Sequence, residues 1–438
     1  MTLQISPVFR SASYAWKPPS KLKVWEWAEE NCRAEPGSAM PGKIRMDNAP
    51  WLKEPLDAWG DNSVRDVTVM CSAQSSKTTL AALGMCWSVA EDPGRALWVT
   101  ADQDMAKEDL RDRFLPLFRA CPPVRDSILL EQNSSVIFRT MPLYFTGANS
   151  PAKLQSKPVR WLVGDEVRNW PPNAVPTVLK RTRSYWNCRR VLLSTPGDKS
   201  DSIHRAYQQG DQRVYHVRCN RCLSLFPLQF ERLKAEHPET AEAVAFRDVP
   251  GFVREDGTHD FNLLEPLIRY ECPNCNALLK DEPQTRKALA REGCFVPTNP
   301  GAKAGRVSFH WNALLPWWVS WSSVVEEYFN ALSALRTGDH EPMRTWVTET
   351  LGKPWEEDFA TVDDYGFLED RRGEYELGEV WADEAMRFMS ADRQAKGGEH
   401  YWWVVRAFSN SGESRLVAHG KALTKEALEE KRKELNVP

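Results

Sequence analysis

Short apolar runs alternate with amphipathic stretches from Asp66 onward. The runs have the length and β-branched content of strands, and the stretches between them repeat apolar residues at helical spacing. The predicted strands are Val67–Met70, Ala96–Thr100, Val136–Arg139, Leu143–Thr146, Trp161–Val163 and Val191–Leu193, and the predicted helices are Thr78–Ala90 and Ala106–Ala120. Regular alternation of strand and helix predicts an α/β fold with a mainly parallel sheet covered by helices.

The pattern changes twice further along the chain. An acidic, turn-rich region follows residue 212, and an aromatic region with two predicted helices, Ser322–Leu335 and Glu341–Leu351, follows residue 305. After a charged stretch, three strands and a last helix are predicted: Met386–Ser390, Tyr401–Phe408, Ser414–His419 and Thr424–Leu435. These changes divide the chain into five segments, with boundaries at 1–60, 61–211, 212–300, 301–378 and 379–438.

Composition narrows the class of protein only modestly. The chain has 438 residues and a net charge of −3, so any nucleic-acid partner has to meet a local basic region. No stretch of the sequence is apolar for the length of a membrane span, so no membrane partner is predicted. Four of the ten cysteines form two CxxC pairs, which favours metal binding over disulfides in a cytosolic chain.

One segment resembles a phosphate-binding loop that lacks glycine. The usual loop reads Gly, any four residues, Gly, Lys, then Ser or Thr, between a strand and a helix. Here the positions are filled, in order, by Cys71, Ser72, Ala73, Gln74, Ser75, Ser76, Lys77 and Thr78. Lysine would reach the phosphates and the threonine hydroxyl would face Mg²⁺. The alternative is an ordinary helix start, which often carries such a pair.

Two acidic residues strengthen the loop interpretation. Asp165 and Glu166 directly follow a predicted buried strand. An ATPase needs one carboxylate beside Mg²⁺ and often a second that positions water. Open α/β sheets bind ligands at the carboxyl ends of their strands. Ser194 and Thr195 end a third strand, where they could sense the γ-phosphate. The alternative for Asp165 and Glu166 is an acidic turn after a strand, and the alternative for Ser194 and Thr195 is a plain turn.

The cysteine pairs predict a separate metal site. Cys219, Cys222, Cys272 and Cys275 form a candidate Cys₄ set for a structural Zn²⁺. The interval between the pairs is longer than in common zinc ribbons, and residues 231–260 could loop out to explain it. The alternative is four reduced, buried thiols.

Several ordered blocks of sequence resemble one known family. They include VTVMCSAQSSKTTL, LYFTGANSPAKLQSKPVRWLVGDEVRNWP, LLSTPGDKSDSIHRAYQQGDQRVYHVRCNRC and WVTETLGKPWEE. Together they resemble the large terminase subunit of tailed phages, in the lambda-like gpA group, from about Ala15 to Trp403. The resemblance implies an ASCE-type P-loop ATPase that packages double-stranded DNA into a procapsid and cuts the concatemer.

The resemblance also assigns roles to residues. It implies that Lys77 is the Walker A lysine and that the Thr78 hydroxyl binds Mg²⁺. Asp165 and Glu166 would be the Walker B carboxylates, the first for the metal and the second for catalysis. Ser194-Thr195-Pro196 would be the coupling motif, and Trp51 the aromatic that stacks on adenine. The alternative for Trp51 is a core position. Related motors often carry an arginine finger inside the loop, but Ala73 and Gln74 occupy that region. The implied cofactors are ATP, Mg²⁺ and Zn²⁺.

The C-terminal segment resembles the start of an RNase H-like nuclease. MRFMSADRQ places Asp392 where the first metal-binding aspartate stands, and Glu413 is a second candidate. Only three strands and one helix are predicted, so we expect a truncated nuclease that does not cut by itself. The five segments then become an adenine-side wrap (1–60), the P-loop core (61–211), a zinc insertion (212–300), a helical segment and linker that completes the ATPase region (301–378) and a partial nuclease (379–438).

The implied partners are double-stranded DNA, the portal protein, the small terminase subunit and further copies of this chain in a ring. The implied place of action is the host cytoplasm, transiently at the portal vertex. A basic run could follow the DNA backbone; it comprises Lys180, Arg181, Arg183, Arg189, Arg190, Arg205, Arg213, Arg218 and Arg221. Two alternatives remain: a helicase-like ATPase, and a zinc-dependent DNA-binding or scaffold protein with a decayed nucleotide site.

Overall fold

A computed structural model describes residues 20–35, 37–150, 154, 157–255, 257–356, 375, 378–379, 381–394 and 400–438. The chain forms two compact units, Met1–Ala360 and Thr361–Pro438. Most of the predicted linker 358–378 and the beginning of the predicted N-terminal wrap lie outside the described residues. Among the described residues, no helix combines the length and apolar character needed to cross a bilayer.

The described strands and helices are these, in chain order. The strands are β1 Arg33–Ala34, β2 Gly42–Lys43, β3 Asp66–Cys71, β4 Ala96–Thr100, β5 Ile128–Gln132, β6 Ser135–Phe138, β7 Pro142–Gly147, β8 Trp161–Gly164, β9 Arg189–Ser194, β10 Arg213–Arg218, β11 Leu225–Pro227, β12 Leu233–Glu236, β13 Ala243–Val244, β14 Ile268–Glu271, β15 Leu278–Lys280, β16 Cys294–Pro297, β17 Arg306–Trp311, β18 Glu384–Gln394, β19 His400–Ser409 and β20 Ser414–Ala422. The α-helices are α1 Val24–Asn31, α2 Lys53–Gly60, α3 Lys77–Glu91, α4 Gln103–Glu108, α5 Leu115–Ala120, α6 Pro122–Arg125, α7 Ala174–Leu179, α8 Ser202–Gln208, α9 Phe261–Leu264, α10 Pro283–Arg291, α11 Trp321–Arg336, α12 Glu341–Thr345 and α13 Lys425–Glu434.

The first unit is built on one large, mostly parallel sheet. Its strand order is β11-β10-β17-β3-β9-β8-β4-β7-β6-β5, with β16 also paired to β10. All neighbours from β10 to β7 in this order are parallel, and the antiparallel strands lie at the two ends. The predicted α/β fold with a mainly parallel sheet is therefore confirmed.

Both faces of the central strands are buried. On β3, Val67 and Val69 belong to one hydrophobic cluster while Met70, on the opposite face, belongs to another. Successive side chains of a strand point to opposite faces, so this division shows a core on each side of the sheet. It explains why these strands read as continuous apolar runs rather than as alternating patterns.

Helix α3 packs closely on this sheet through an aromatic layer. Trp59 and Trp161 stack with ring centroids 5.7 Å apart, and both are fully buried. A Cβ on Gly84 would lie 2.4 Å from the Trp59 ring, so only glycine allows α3 to approach. This layer fixes the helix that follows the candidate phosphate loop.

Four strands of the sheet come from segments that follow the predicted P-loop core 61–211: β10, β11 and β16 from segment 212–300, and β17 from segment 301–378. β17, from segment 301–378, pairs directly with β3, and β10, from segment 212–300, pairs with β17. Residues 233–280 form a separate four-stranded antiparallel sheet of order β13-β12-β14-β15. The five segment boundaries remain predictions.

The second unit contains a three-stranded antiparallel sheet followed by a helix. Its strand order is β18-β19-β20, and α13 follows β20. Buried side chains of Trp403, Val405, Ala422 and Val437 form its small core. All four C-terminal elements predicted from the sequence are present.

Candidate functional site

The candidate phosphate loop joins the end of β3 to the start of α3. Two of its residues adopt the left-handed conformation, Gln74 with φ +52° and Ser76 with φ +74°. Ser76 holds the place of the second glycine, whereas Cys71, at the first glycine position, is a fully buried strand residue. A left-handed backbone costs a non-glycine residue about 1–2 kcal/mol. The loop therefore keeps one glycine-type conformation without glycine, and other contacts must offset its cost.

Backbone contacts from a distant segment hold the loop. The N–H of Ser72 donates to the Trp311 carbonyl at 3.2 Å, and the N–H of Ala73 donates to the Glu349 carbonyl at 2.7 Å. Gly352, with φ +63°, lies close beneath; a Cβ there would be 2.8 Å from the Ser72 nitrogen. Residues 311 and 349–352 thus form a support that the sequence around the loop does not contain.

Trp51 supports the same loop from inside the protein. Its indole N–H donates to the Ser75 carbonyl at 3.2 Å, and its ring packs 5.6 Å from that of Trp318. The side chain is 0% exposed. A ring with no exposed face cannot stack on a base, so the structure does not support the predicted adenine-stacking role. The core alternative describes Trp51 correctly.

Lys77 and Thr78 meet the two predicted carboxylates. The Lys77 Nζ lies 3.0 Å from Glu166 Oε1, and the Thr78 hydroxyl donates to Asp165 Oδ2 at 2.9 Å. The four residues come from the beginning of α3 and the end of β8. The structure therefore brings together the loop and the carboxylates, which are almost ninety positions apart in the chain.

Burial governs the electrostatics of this group. Full burial and then the negative charge of Glu166 raise the pKa of Asp165 to about 6, against the opposing effect of Lys77. Burial lowers the pKa of Lys77, but the charges of Glu166, Cys71 and Asp165 outweigh it, and the pKa rises above its ordinary value. Lys77 therefore stays cationic, as phosphate binding requires.

The turn after β8 aims the carboxylates. Glu166 has a left-handed φ of +51°, and the Trp170 indole donates to the Asp165 carbonyl at 2.9 Å. A Cβ on Gly164 would lie 2.7 Å from the Trp170 ring, so glycine permits this packing. β9 alone separates β3 from β8 in the sheet, so the loop and the carboxylates come together at the carboxyl ends of these three strands. Ligands in open parallel sheets bind at such edges.

Ser194 is the last residue of β9, the strand between β3 and β8, and Thr195 follows it. Both side chains are buried. The Ser194 hydroxyl oxygen accepts from the Arg168 backbone N–H at 3.1 Å. The Arg168 guanidinium donates to the Pro196 carbonyl at 3.0 Å and to Glu349 at 3.1 Å. Sequence analysis missed Arg168 and Glu349, because 181 positions separate them and no local motif links them.

The residues at the edge fit a hard divalent cation with a phosphate ligand. Mg²⁺ prefers a few protein oxygens together with water and substrate phosphates. The Thr78 hydroxyl and the Asp165 carboxylate supply such oxygens side by side. The lysine and the second carboxylate lie next to them, so the donor set is that expected for Mg²⁺ and a nucleotide.

The four predicted zinc cysteines also converge. Their sulfurs all lie within 4.8 Å of one another, with Cys219–Cys275 at 3.9 Å and Cys222–Cys272 at 3.8 Å. A zinc ion about 2.3 Å from four tetrahedral sulfurs sets them about 3.8 Å apart. The geometry fits a structural zinc ion.

Asp392 lies on β18 and is exposed, opposite Trp402 on β19. Glu413 follows the far end of β19, after Ser409, which places it roughly 20 Å along the strand from Asp392. The two carboxylates therefore cannot share one metal ion. Within the described residues, Asp392 belongs to no group of three or more ligands close enough to hold an ion.

The predicted basic run separates into internal and exposed members. Arg189 is buried and bonds to the Trp59 carbonyl, and Arg190 and Arg213 form ion pairs with nearby acids. The members with exposed side chains are Lys180, Arg183, Arg205 and Arg221. The first two lie a few positions before Trp186, which is 94% exposed.

A parallel α/β sheet with a loop, a lysine and two carboxylates at its carboxyl edge defines the class of nucleotide-hydrolysing α/β proteins. The family model "Phage terminase large subunit gpA, ATPase domain" matches residues 38–293, more than half of the chain. The chain therefore belongs to the gpA family of phage terminase large subunits. It is an ATPase subunit of a DNA-packaging motor, and the family match favours this over the helicase-like and scaffold alternatives.

A second family model corrects the predicted truncation. "Terminase large subunit gpA, endonuclease domain" matches residues 306–437. The nuclease domain is therefore present, and the prediction of a truncated nuclease confined to 379–438 was wrong. Counting predicted strands against a typical RNase H-like domain was a poor guide, because the matched region begins far upstream of the predicted boundary.

Solved structures of other phage terminases are similar at low identity. The HK97 bacteriophage large terminase is 11% identical, with a TM-score of 0.42, over 95% of this chain and 70% of that one. The Thermus phage P74-26 large terminase ATPase domain is 14% identical, with a TM-score of 0.36, over 66% of this chain and 88% of that one. No curated protein matches the chain significantly.

Proposed function

We propose that this chain hydrolyses ATP at the edge formed by β3, β9 and β8, and uses the turnover to move double-stranded DNA into a procapsid. One observation carries the proposal: Lys77 pairs with Glu166, and Thr78 pairs with Asp165, at the carboxyl ends of β3, β9 and β8. This is the arrangement of an ASCE-type P-loop site, here with a loop that contains no glycine.

Each of the four side chains has a distinct role. Lys77 binds the β- and γ-phosphates, and its ion pair with Glu166 opens as the phosphates replace the carboxylate. Glu166 is then free to orient and activate the attacking water. Thr78 and Asp165 hold Mg²⁺, which neutralises charge that develops on the phosphates. The loop backbone from Gln74 to Ser76 supplies N–H donors to the phosphates, since the Ser72 and Ala73 N–H groups already donate to the Trp311 and Glu349 carbonyls.

The exposed basic residues supply the surface for DNA. Lys180 and Arg183 lie a few positions before the exposed Trp186, and Arg205 and Arg221 add further positive charge. Such contacts to the phosphate backbone are independent of sequence and weaken with salt. The further partners we propose are the portal protein, the small terminase subunit and other copies of this chain in a ring. The chain would act in the host cytoplasm, transiently at the portal vertex.

The cysteine set binds one Zn²⁺ with a structural role. Four thiolates close the coordination sphere and leave no position for a catalytic water. The ion fastens the turn after β10, a strand of the large sheet, to the turn between β14 and β15 of the small sheet. DNA cutting belongs to the nuclease domain, with Asp392 as a candidate metal ligand there.

The test is ATP hydrolysis by the purified chain with and without double-stranded DNA. Glu166→Gln removes the water-activating carboxylate and should lower turnover by about 10²–10⁴-fold. Glu131→Gln is the matched control, since Glu131 is about as exposed as Glu166 and also forms an ion pair, with Arg119. DNA-stimulated turnover that survives in Glu131→Gln and is lost in Glu166→Gln supports the proposal. Equal turnover in both variants would refute it.

A further inference from the structure

Arg168 connects three parts of the proposed nucleotide site at the carboxyl ends of β3, β9 and β8, which we call the nucleotide edge. The parts are the turn after β8, the end of β9 and Glu349, and they are distant in the sequence. It lies two positions after Glu166, in the short 3₁₀ turn Val167–Asn169. Its backbone N–H donates to the Ser194 hydroxyl at 3.1 Å. The turn that carries the water-activating carboxylate is therefore tied directly to the end of β9.

The Arg168 side chain extends this connection. Its guanidinium donates to the Pro196 carbonyl at 3.0 Å and to Glu349 Oε1 at 3.1 Å. A Cβ on Gly197 would lie 3.2 Å from the Arg168 side chain, so the β9 end packs along its length. An arginine fork can bond a carbonyl and a carboxylate at the same time with fixed geometry. A lysine has no such fork.

Glu349 closes the connection on the other side. Its carboxylate bonds Arg168, while its backbone carbonyl accepts from the Ala73 N–H of the phosphate loop at 2.7 Å. A few residues later, the Trp355 N–H donates to the Gly197 carbonyl at 2.7 Å. Residues 349–355, which we call the return segment, thus contact both the phosphate loop and the β9 end.

We propose that Arg168 is a positioning residue that, through Glu349, couples the state of the phosphate loop to the β9 end and to the return segment. This inference rests on the proposed ATPase site. Phosphates that draw Lys77 away from Glu166 change the turn that contains Arg168. A shift of that turn is transmitted to Pro196 and Glu349, which accept from its guanidinium. Without Arg168, nucleotide still binds at Lys77 and Thr78. The turn that follows Glu166 and the end of β9 then no longer keep a fixed position relative to each other.

The test separates positioning from binding. Arg168→Ala should lower the DNA-stimulated kcat by roughly tenfold or more, since small misplacements at a reacting centre have large effects on rate. KM for ATP should change by less than about threefold, because the binding residues remain. Arg168→Lys should restore little of the loss. Arg213→Ala is the matched control: Arg213 is 28% exposed against 27% for Arg168, and it is also ion-paired, far from the loop in sequence.

Glu349→Gln adds a variant that keeps the backbone contact to Ala73. It should reproduce most of the loss in kcat, and the double variant Arg168→Ala/Glu349→Gln should be no worse than Arg168→Ala alone. If Arg168→Ala does not fold, as judged by its melting temperature, Glu349→Gln carries the test. Losses that multiply in the double variant, or an Arg168→Ala enzyme that behaves like Arg213→Ala, would overturn the coupling. A wild-type chain without any turnover would instead overturn the proposed function itself, and the coupling with it.

Discussion

The nucleotide edge and the cysteine site use opposite means to hold a small number of polar groups in place. At the edge, Lys77, Thr78, Asp165 and Glu166 already bond to one another, and buried contacts support the loop beneath them. At the cysteine site, two of the four residues, Cys222 and Cys275, are exposed at turns, and the sulfurs mainly face other sulfurs.

The two sites therefore obtain their stability from different sources. Hydrogen bonds and burial in a large sheet preorganise the edge, so removal of one polar group there should impair chemistry more than folding. Four neighbouring thiols have only weak hydrogen bonds to offer one another. The proposed zinc ion would stabilise their convergence, and its binding free energy would become folding free energy for the small sheet.

Lys77→Ala should produce the largest effect on activity. It removes the cation that binds the phosphates and leaves Glu166 without its ion pair, so ATP turnover should fall by at least about 100-fold. The melting temperature should change little, because the helix and loop keep their other contacts. Lys53→Ala, which removes another ion-paired lysine, serves as the control in the same hydrolysis assay. Turnover within a factor of two of wild type would show that the loop is only a helix start.

Cys272→Ser should have the reverse effect. The wild-type chain should contain about one zinc per chain by elemental analysis, and the variant should lose it. Loss of a structural zinc should lower the melting temperature by about 5 °C or more, whereas the sheet edge remains intact in the folded fraction. Cys188→Ser, which alters a buried cysteine outside the cluster, should retain the zinc. A metal-free wild-type protein of unchanged stability would remove the zinc assignment.

Restoring the usual glycines at positions 76 and 71 should have the smallest effects. Both substitutions change the free energy of unfolding, and the two changes should have opposite signs. Ser76→Gly relieves a left-handed residue and should stabilise the fold by about 0.5 kcal/mol, since glycine's greater freedom in the unfolded chain offsets part of the gain. Cys71→Gly removes a fully buried strand side chain and should destabilise by about 2 kcal/mol. Urea denaturation measures both. Destabilisation by Ser76→Gly would show that the loop relies on the serine itself.

Local patterns identified the strands, the phosphate loop, the carboxylates and the cysteines, because each is encoded by neighbouring residues. The contacts that hold the loop could not be predicted in the same way. Trp311 and Glu349 lie more than two hundred positions after the loop and reach it only because β17 pairs with β3. The sequence assigned the aromatic stretch near residue 311 to the ATPase region, but its pattern did not identify a strand that pairs with β3.

Trp51 and the basic run illustrate the same limit for single residues. An aromatic before a phosphate loop fits adenine stacking and core packing equally well until its burial is known. A run of arginines fits a DNA surface until Arg189 is found buried, and Arg190 and Arg213 are found in ion pairs with nearby acids. In both cases the deciding quantity is solvent exposure, which depends on how distant elements pack.

The most direct test of the glycine-free loop is calorimetric titration of Mg²⁺-ATP into the Glu166→Gln protein, in which hydrolysis does not obscure binding. The account predicts about one nucleotide per chain, and an affinity at least tenfold lower when Lys77→Ala is added, since an ion pair to phosphate is lost. Absence of binding to Glu166→Gln, or equal binding with and without Lys77, would contradict the account.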